Sequence, residues 1–197
     1  MSVNVDSIVE RALPLLEERL DDYGFRHSLS TADTARDLAL IYQVDADNAY
    51  LAGLLHDWDR CILDDDIIAR AKSYKLELSP EALEAPKILH AHTAAIAVHE
   101  TFPELPAEVI NAIAHHTVGV PDMTDLDKVM YIADMIEPLR THPIIPTLRE
   151  MVGTVGLDAL FIQAYQKSML YLINNLRVLH PDTCRVWNAL MTEGRLA

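Results

Sequence analysis

Residues 51–57, LAGLLHD, constrain the fold more than any other stretch of the chain. They are apolar nearly all round and finish on an imidazole and a carboxylate side by side. A helix with no polar face belongs at the centre of a helical assembly. An ionisable pair at the end of such a helix is costly to bury unless something partners it. The remaining chain agrees with a helical core. Only 6 of 197 residues are glycine, while Ala and Leu are plentiful, which favours helices over a sandwich or barrel. Half the residues are hydrophobic, enough for a sizeable core, and the length suits one domain over residues 1–197.

Apolar spacing places the other helices. Residues 5–22 carry Val5, Ile8, Val9, Leu13, Leu16 and Leu20 at three- and four-residue intervals, with Pro14 bending the helix or marking its start and Gly24 ending it. Residues 27–42 form a second helix. Asp45 caps a third that runs to about Asp57. Asp64-Asp65-Asp66 opens a short helix, and Ser79-Pro80-Glu81 reads as cap, first position and first turn of another. Helices over 86–101 and 106–116 are separated by Phe102-Pro103, and one over 125–137 is closed by Pro138. THPIIP (141–146) reads as a loop, 156–176 as a long helix, and Asp182 as the cap of a last one. The sum is an all-α bundle of roughly nine or ten helices with short connections.

Charge narrows the partners. The formal net charge of -14 repels nucleic-acid polymers and anionic membranes alike. A phosphate-bearing ligand must therefore meet local positive charge, which a metal would supply. Cys61 and Cys184 form no CxxC spacing, so they read as free thiols of a reducing cytoplasm. No segment reaches the roughly 18 apolar residues of a membrane span, and the N-terminal stretch has no signal-like run. The chain is expected to be cytoplasmic.

Chemistry concentrates where the apolar helices are interrupted. His27 precedes an apolar helix, His56-Asp57 ends one, His90 follows Lys87-Ile88-Leu89, His115-His116 closes another, and Asp134 sits inside the run 129–136. Side chains next to each other on a helix point about 100° apart, so His56 and Asp57 can both reach one ion at the helix end. His27, His56, Asp57, His90, His116 and Asp134 offer four imidazoles and two carboxylates. That mixture suits Fe, Mn or Zn better than Mg or Ca, and six ligands suffice for two ions with positions left for water. His115 and His116 face differently, so one of them is expected to bind. His92 reads as either supporting or surface, and His99 as surface. No Ser/His/Asp or Cys/His nucleophile arrangement stands out.

The order His, His-Asp, His, His, Asp is that of HD-domain phosphohydrolases. The stretches HSLSTADTARDLA (27–39), LAGLLHDWDR (51–60), AIAHHTVGVPDM (112–123), KVMYIADMIEPLR (128–140) and HPDT (180–183) resemble the YqeK family within that superfamily. The resemblance implies an HD-domain bundle holding two metal ions, usually iron, with Mn or Zn as alternatives. It implies diadenosine tetraphosphate or a relative as substrate and two nucleoside diphosphates as products. On it, His27, His56, Asp57 and Asp134 hold one metal, and the bridging Asp57 with His90 and His116 holds the other. Asp57, Arg60 and His90 form the catalytic set. Arg60 contacts phosphate, Thr117 and Arg140 lie near the nucleotide, and the Tyr171–Thr183 stretch, with His180 and Asp182, packs around ribose and base. The family commonly has a basic residue three before the first ligand histidine; that position is Gly24 here, and Arg26 lies next to His27 instead, where it is expected to contact substrate. HAHTAA (90–95) replaces a glycine-rich run that follows the third ligand in the family. A homodimer is compatible with this reading. The alternatives are an HD enzyme for another nucleotide, such as a nucleoside monophosphate or cyclic dinucleotide, and a non-catalytic nucleotide-binding relative.

Overall fold

The computed structural model describes residues 4–193. Among them are eleven α-helices and no strand: α1 (Val5–Arg19), α2 (Asp22–Tyr42), α3 (Ala46–Leu55), α4 (Asp64–Ser73), α5 (Pro80–Glu84), α6 (Leu89–Thr101), α7 (Ala107–His115), α8 (Asp125–Ile136), α9 (Ile145–Met151), α10 (Leu157–Asn174) and α11 (Pro181–Glu193). A 3-10 turn, Pro86–Ile88, leads into α6. None of these helices is long and apolar enough to cross a membrane.

Polar caps decide where most helices begin. Asn4, Asp21, Asp45 and Ser79 each accept a backbone N–H from three residues on, and Thr124 with Asp127 forms a reciprocal capping box on α8. The Asp21 cap corrects the reading of Gly24 as a terminator. Asp21 Oδ1 accepts from Gly24 N–H at 2.7 Å, so α2 starts at Asp22 and carries His27 inside its second turn. Pro14 lies within α1 on its exposed side, where water can satisfy the carbonyl left without a donor. Two further corrections involve proline. Residues 145–146, read as loop, open α9, with Pro146 in the first turn where its missing N–H costs nothing. Pro181 is the first residue of α11, so Asp182 lies in its first turn and is not its cap.

Helix α3 is central, as its composition demands. It packs against α1, α2, α7 and α8. Leu51, Ala52, Leu54 and Leu55 are fully buried. Gly53 permits the tight α2–α3 crossing: a Cβ there would lie 2.7 Å from Ala32 Cα and 2.9 Å from the Thr31 carbonyl oxygen. Helix α10 lies over α8 and α9, and α11 over α10. A small second core of Ile67, Ala71, Ala82 and Leu89 joins α4 and α5 to the start of α6.

The chain leaves α3 through successive turns, with Trp58 N–H donating to Leu55 O and Arg60 N–H to Asp57 O. Trp58 is buried edge-on to Phe102, with ring centroids 5.8 Å apart. The buried Asp59 carboxylate sits 2.7 Å from Arg70 Nε and 3.6 Å from an Arg19 nitrogen. These contacts hold the segment that presents His56, Asp57 and Arg60.

Candidate metal and phosphate site

Four imidazoles from four helices are oriented by one rule. His56, His90 and His116 stand at helix termini or in a first turn, and each points Nδ1 at the carbonyl three residues earlier. His56 donates to Gly53 O at 2.8 Å, His116 to Ile113 O at 2.7 Å, and His90 to Lys87 O. His27, in the second turn of α2, directs Nδ1 to the Glu137 carboxylate at 3.0 Å. Oxygen acceptors fix each Nδ1 as the protonated nitrogen, so the four Nε2 atoms turn inward together. His27, His56, Asp57, His90 and His116 are all buried, and Asp134 is partly open.

Asp57 joins two groups of nitrogens. Its Oδ2 lies 3.3 Å from His56 Nε2 and 3.7 Å from His27 Nε2; its Oδ1 lies 3.0 Å from His90 Nε2 and 3.8 Å from His116 Nε2. Asp134 Oδ1 completes the first group, 2.9 Å from His27 Nε2 and 3.9 Å from His56 Nε2. Two sets, His27–His56–Asp134 and His56–Asp57–His116, bring their ligand atoms within 4.8 Å of one another.

The donor set fits metal cations. His56 Nε2 is buried and, with Asp57 Oδ2 3.3 Å away, makes no well-aligned hydrogen bond among the described residues. His90 Nε2 and His116 Nε2 approach to 3.0 Å. With both Nδ1 atoms protonated, these nitrogens face each other with lone pairs, an unfavourable contact that a shared cation reverses. Two nitrogens bound at about 2.1 Å to one ion at right angles stand about 3.0 Å apart.

The protonation states follow the same geometry. Burial pushes His116 down to about 3, reinforced by His56 and His90, so its ring is a neutral ligand at physiological pH. Burial also acts against a charge on His27, but hydrogen bonds to Asp134 and Glu137 outweigh it and lift His27 to about 9. Burial would raise Asp57 and Asp134. The His56 and His90 imidazoles outweigh it for Asp57, and His27 with Arg140 does so for Asp134, leaving both carboxylates well below their usual range.

A cavity of about 570 Å³ opens over this cluster. Of the residues expected at the site, Asp57, His90, His116, Asp134, Arg60, Thr117 and Arg140 line it. His27 and His56 lie beneath, within the cluster. Arg140 donates to the Asp134 carboxylate and, through Nε, to its backbone carbonyl at 2.9 Å. Thr117 Oγ1 is buried without a partner among the described residues. Arg26, His180 and Asp182 lie outside the cavity lining. Arg26 is exposed and bonds Asp22 O on its own helix. Asp182 pairs with Arg185 at 2.7 Å, and its N–H donates to His180 Nδ1 at 3.3 Å. His115 turns away from the cluster to Asp127, and His92 and His99 are exposed.

Sequence reasoning missed three contributors. Glu137 is fully buried against His27, although it reads only as the acid before Pro138. Lys87 and Lys167 both line the cavity. A net-acidic chain with two of its five lysines at one cavity offered a faint signal, but nothing in their spacing connects them.

Comparisons with known proteins identify the family and the fold. The HD domain model matches residues 24–139, a span holding all six expected ligands. Fold and site therefore define an HD-domain metal-dependent phosphohydrolase. The chain is 30% identical over 185 residues to the symmetrical bis(5'-nucleosyl)-tetraphosphatase of Halalkalibacterium halodurans, with 94% of this chain and 98% of that protein covered. It is 36% identical over 171 residues to the protein of that name from Staphylococcus aureus, covering 84% and 85%. A solved structure from Clostridium acetobutylicum, described as a predicted HD superfamily hydrolase involved in NAD metabolism, superposes with a TM-score of 0.88 at 30% identity, covering 93% of this chain and 97% of that one. Within the HD class, the chain belongs to the symmetrical bis(5'-nucleosyl)-tetraphosphatase (YqeK) family.

Proposed function

We propose that the chain hydrolyses diadenosine tetraphosphate and related dinucleoside polyphosphates, cutting the central anhydride to give two nucleoside diphosphates. The observation that carries this reading is the placement of Asp57, one oxygen toward His27 and His56 and the other toward His90 and His116. On this reading His27, His56, Asp57 and Asp134 hold one ion, and Asp57, His90 and His116 hold the second. Iron is the first candidate for both, and Mn or Zn the alternatives, given the N/O donors. Two such ions supply Lewis acidity at the phosphoryl oxygens and acidify water for attack.

The chain's own residues do the rest. Glu137 and the three backbone carbonyls keep every Nε2 aimed inward. Arg60 from the turn after α3 and Arg140 from the segment after α8 set fixed positive charge around the anionic chain, which the overall acidity of the protein otherwise repels. Thr117 offers a hydroxyl that bonds none of the described residues. Water oxygen forms a bond to one inner phosphorus, and the oxygen between the two inner phosphorus atoms leaves with the other nucleoside diphosphate. The test is product analysis. Metal-loaded protein given diadenosine tetraphosphate is expected to yield ADP alone. ATP with AMP would refute the symmetric cut. No turnover of it, with turnover of a nucleoside monophosphate or cyclic dinucleotide, would reassign the substrate.

A further inference from the structure

The two halves of the cluster differ in the positive charge beside them. Arg140 flanks the half built from His27 and Asp134, but carboxylates already answer it: it bonds Asp134, and its Nε lies 3.8 Å from Glu137 Oε1. Arg60 and Lys87 stand beside the other half. Arg60 follows Asp57 by three residues, and its N–H donates to the Asp57 carbonyl at 2.9 Å. Lys87 precedes His90 by three residues, and its carbonyl accepts from His90 Nδ1. Both residues are exposed and both line the cavity. Neither pairs with a carboxylate among the described residues, whereas Arg19 and Arg70 flank Asp59. The chain between them, residues 61–86 with α4 and α5, lines none of the cavity. It leaves at one cation and returns at the other. Both feet are braced, the first by the Asp59–Arg70 contact at 2.7 Å, the second by the small core that includes Leu89.

We propose that Lys87, together with Arg60, clamps the two phosphates of one nucleoside diphosphate half of the substrate, on the His90–His116 side of the cluster, and so selects polyphosphates over single phosphates. The inference rests on the dinucleoside tetraphosphate reading above. Bound metals attract any phosphoryl group. A second, adjoining phosphate gains only where further positive charge waits for it. Two unpaired cations, each three residues from an expected ligand of the same half, supply that charge in a protein whose net charge is -14. A nucleoside monophosphate or a cyclic dinucleotide offers no adjoining pair of phosphates to span them. Lysine serves here as a point charge. Its side chain can be exchanged without releasing His90, which the Lys87 backbone holds.

The experiment compares metal-loaded wild type, Lys87→Met and Lys87→Arg on diadenosine tetraphosphate, with ADP and AMP as competitive inhibitors. Lys87→Met is expected to raise KM and the ADP inhibition constant about tenfold, what one charge-assisted hydrogen bond contributes. The AMP constant should hardly move. The ADP constant should also depend less steeply on salt, since one exposed charge has gone. Lys87→Arg keeps the charge and should restore wild-type behaviour. Metal content should match wild type in both variants. An unchanged ADP constant in Lys87→Met overturns the clamp. So does an AMP constant that rises as much as the ADP constant, or a loss of metal that accounts for both. If the wild type fails to cleave the dinucleotide, the parent reading falls separately. Calorimetry then measures ADP and AMP binding to the metal-loaded protein, and equal ADP affinity in wild type and Lys87→Met sinks the clamp as well.

Discussion

Asp57 is the residue on which both halves of the cluster depend, because no other carboxylate there faces two imidazole pairs. Asp57→Ala is expected to lose bound metal and activity together while its circular dichroism stays helical; a fully active variant would contradict the bridging role. Arg60 lines the cavity without joining the cluster, so Arg60→Ala should raise KM several-fold and keep its metal, which elemental analysis would check. Glu137 touches no substrate on this reading and acts through His27. Glu137→Gln keeps shape but removes the charge behind the imidazole, and metal affinity should fall by about 10- to 100-fold. Competition with a chromophoric chelator measures it, and wild-type affinity would exclude the positioning role. The six clustered residues were legible because imidazoles and acids interrupting apolar helices are expensive without a purpose. Glu137 was not, since its partner lies 110 positions away and nothing local distinguishes it from an ordinary helix-ending acid.

Elements bring these residues together through the contact of α2 with α3. Gly53 sits where any side chain would meet the backbone of Ala32 and Thr31, and its own carbonyl orients His56. Gly53→Ala therefore pushes apart the two helices that carry His27 and His56. We expect a loss of roughly 1–3 kcal/mol, the usual range for overpacking, together with weaker metal retention. Urea titration and metal analysis would show whether both fall; a variant as stable as wild type would refute the close crossing. Helix identity was readable from caps and apolar spacing, as at Asp45, Ser79 and the 125–137 stretch. The misread boundaries at Gly24, Pro146 and Pro181 share a cause: each residue type is ambiguous in isolation. Proline stands in a first turn as well as just beyond a helix end, and glycine, though commoner past the end, is tolerated in a first turn; the Asp21 side chain or the burial of Ile145 and Leu148 settles which.

For the whole molecule, the proposed metal binding makes ion uptake and folding one equilibrium. The cluster packs six ionisable side chains together, and a bound cation offsets that cost in the folded state alone. At a metal concentration about 100-fold above the dissociation constant the gain is about 2.7 kcal/mol, or roughly 5–10 °C in Tm at this chain length. Thermal scans with chelator and with Mn or Fe(II) test this; equal Tm values would count against a site formed by folding. The chelated protein should also respond to pH in two directions. His116, held near 3, favours the folded state above the unfolded-chain value of about 6.5, and that contribution is lost as pH falls from there toward 3. His27, lifted to about 9, contributes fully below about 6.5 and loses its contribution as pH rises through 9. Metal loading at pH 7 must then displace a proton from His27, so calorimetry in buffers of different ionisation enthalpy should register proton release. The same heat in every buffer would contradict it.

By itself the sequence determined the helical class, a central α3, the family, and which imidazoles and carboxylates gather into one cluster. The family was legible in the motif stretches; the rest follows from local information: periodicity, caps, and polar residues placed where burial penalises them. Only the tertiary structure decided which Nε2 atoms converge, that Asp57 faces both groups, that Glu137 stands behind His27, and that Lys87, Lys167, His142 and Tyr171 share the cavity while Arg26, His180 and Asp182 do not line it. Those are relations between helices far apart in the chain. They depend on how close two backbones approach and in what rotation, as at Gly53 against Ala32, and no residue type carries that information alone.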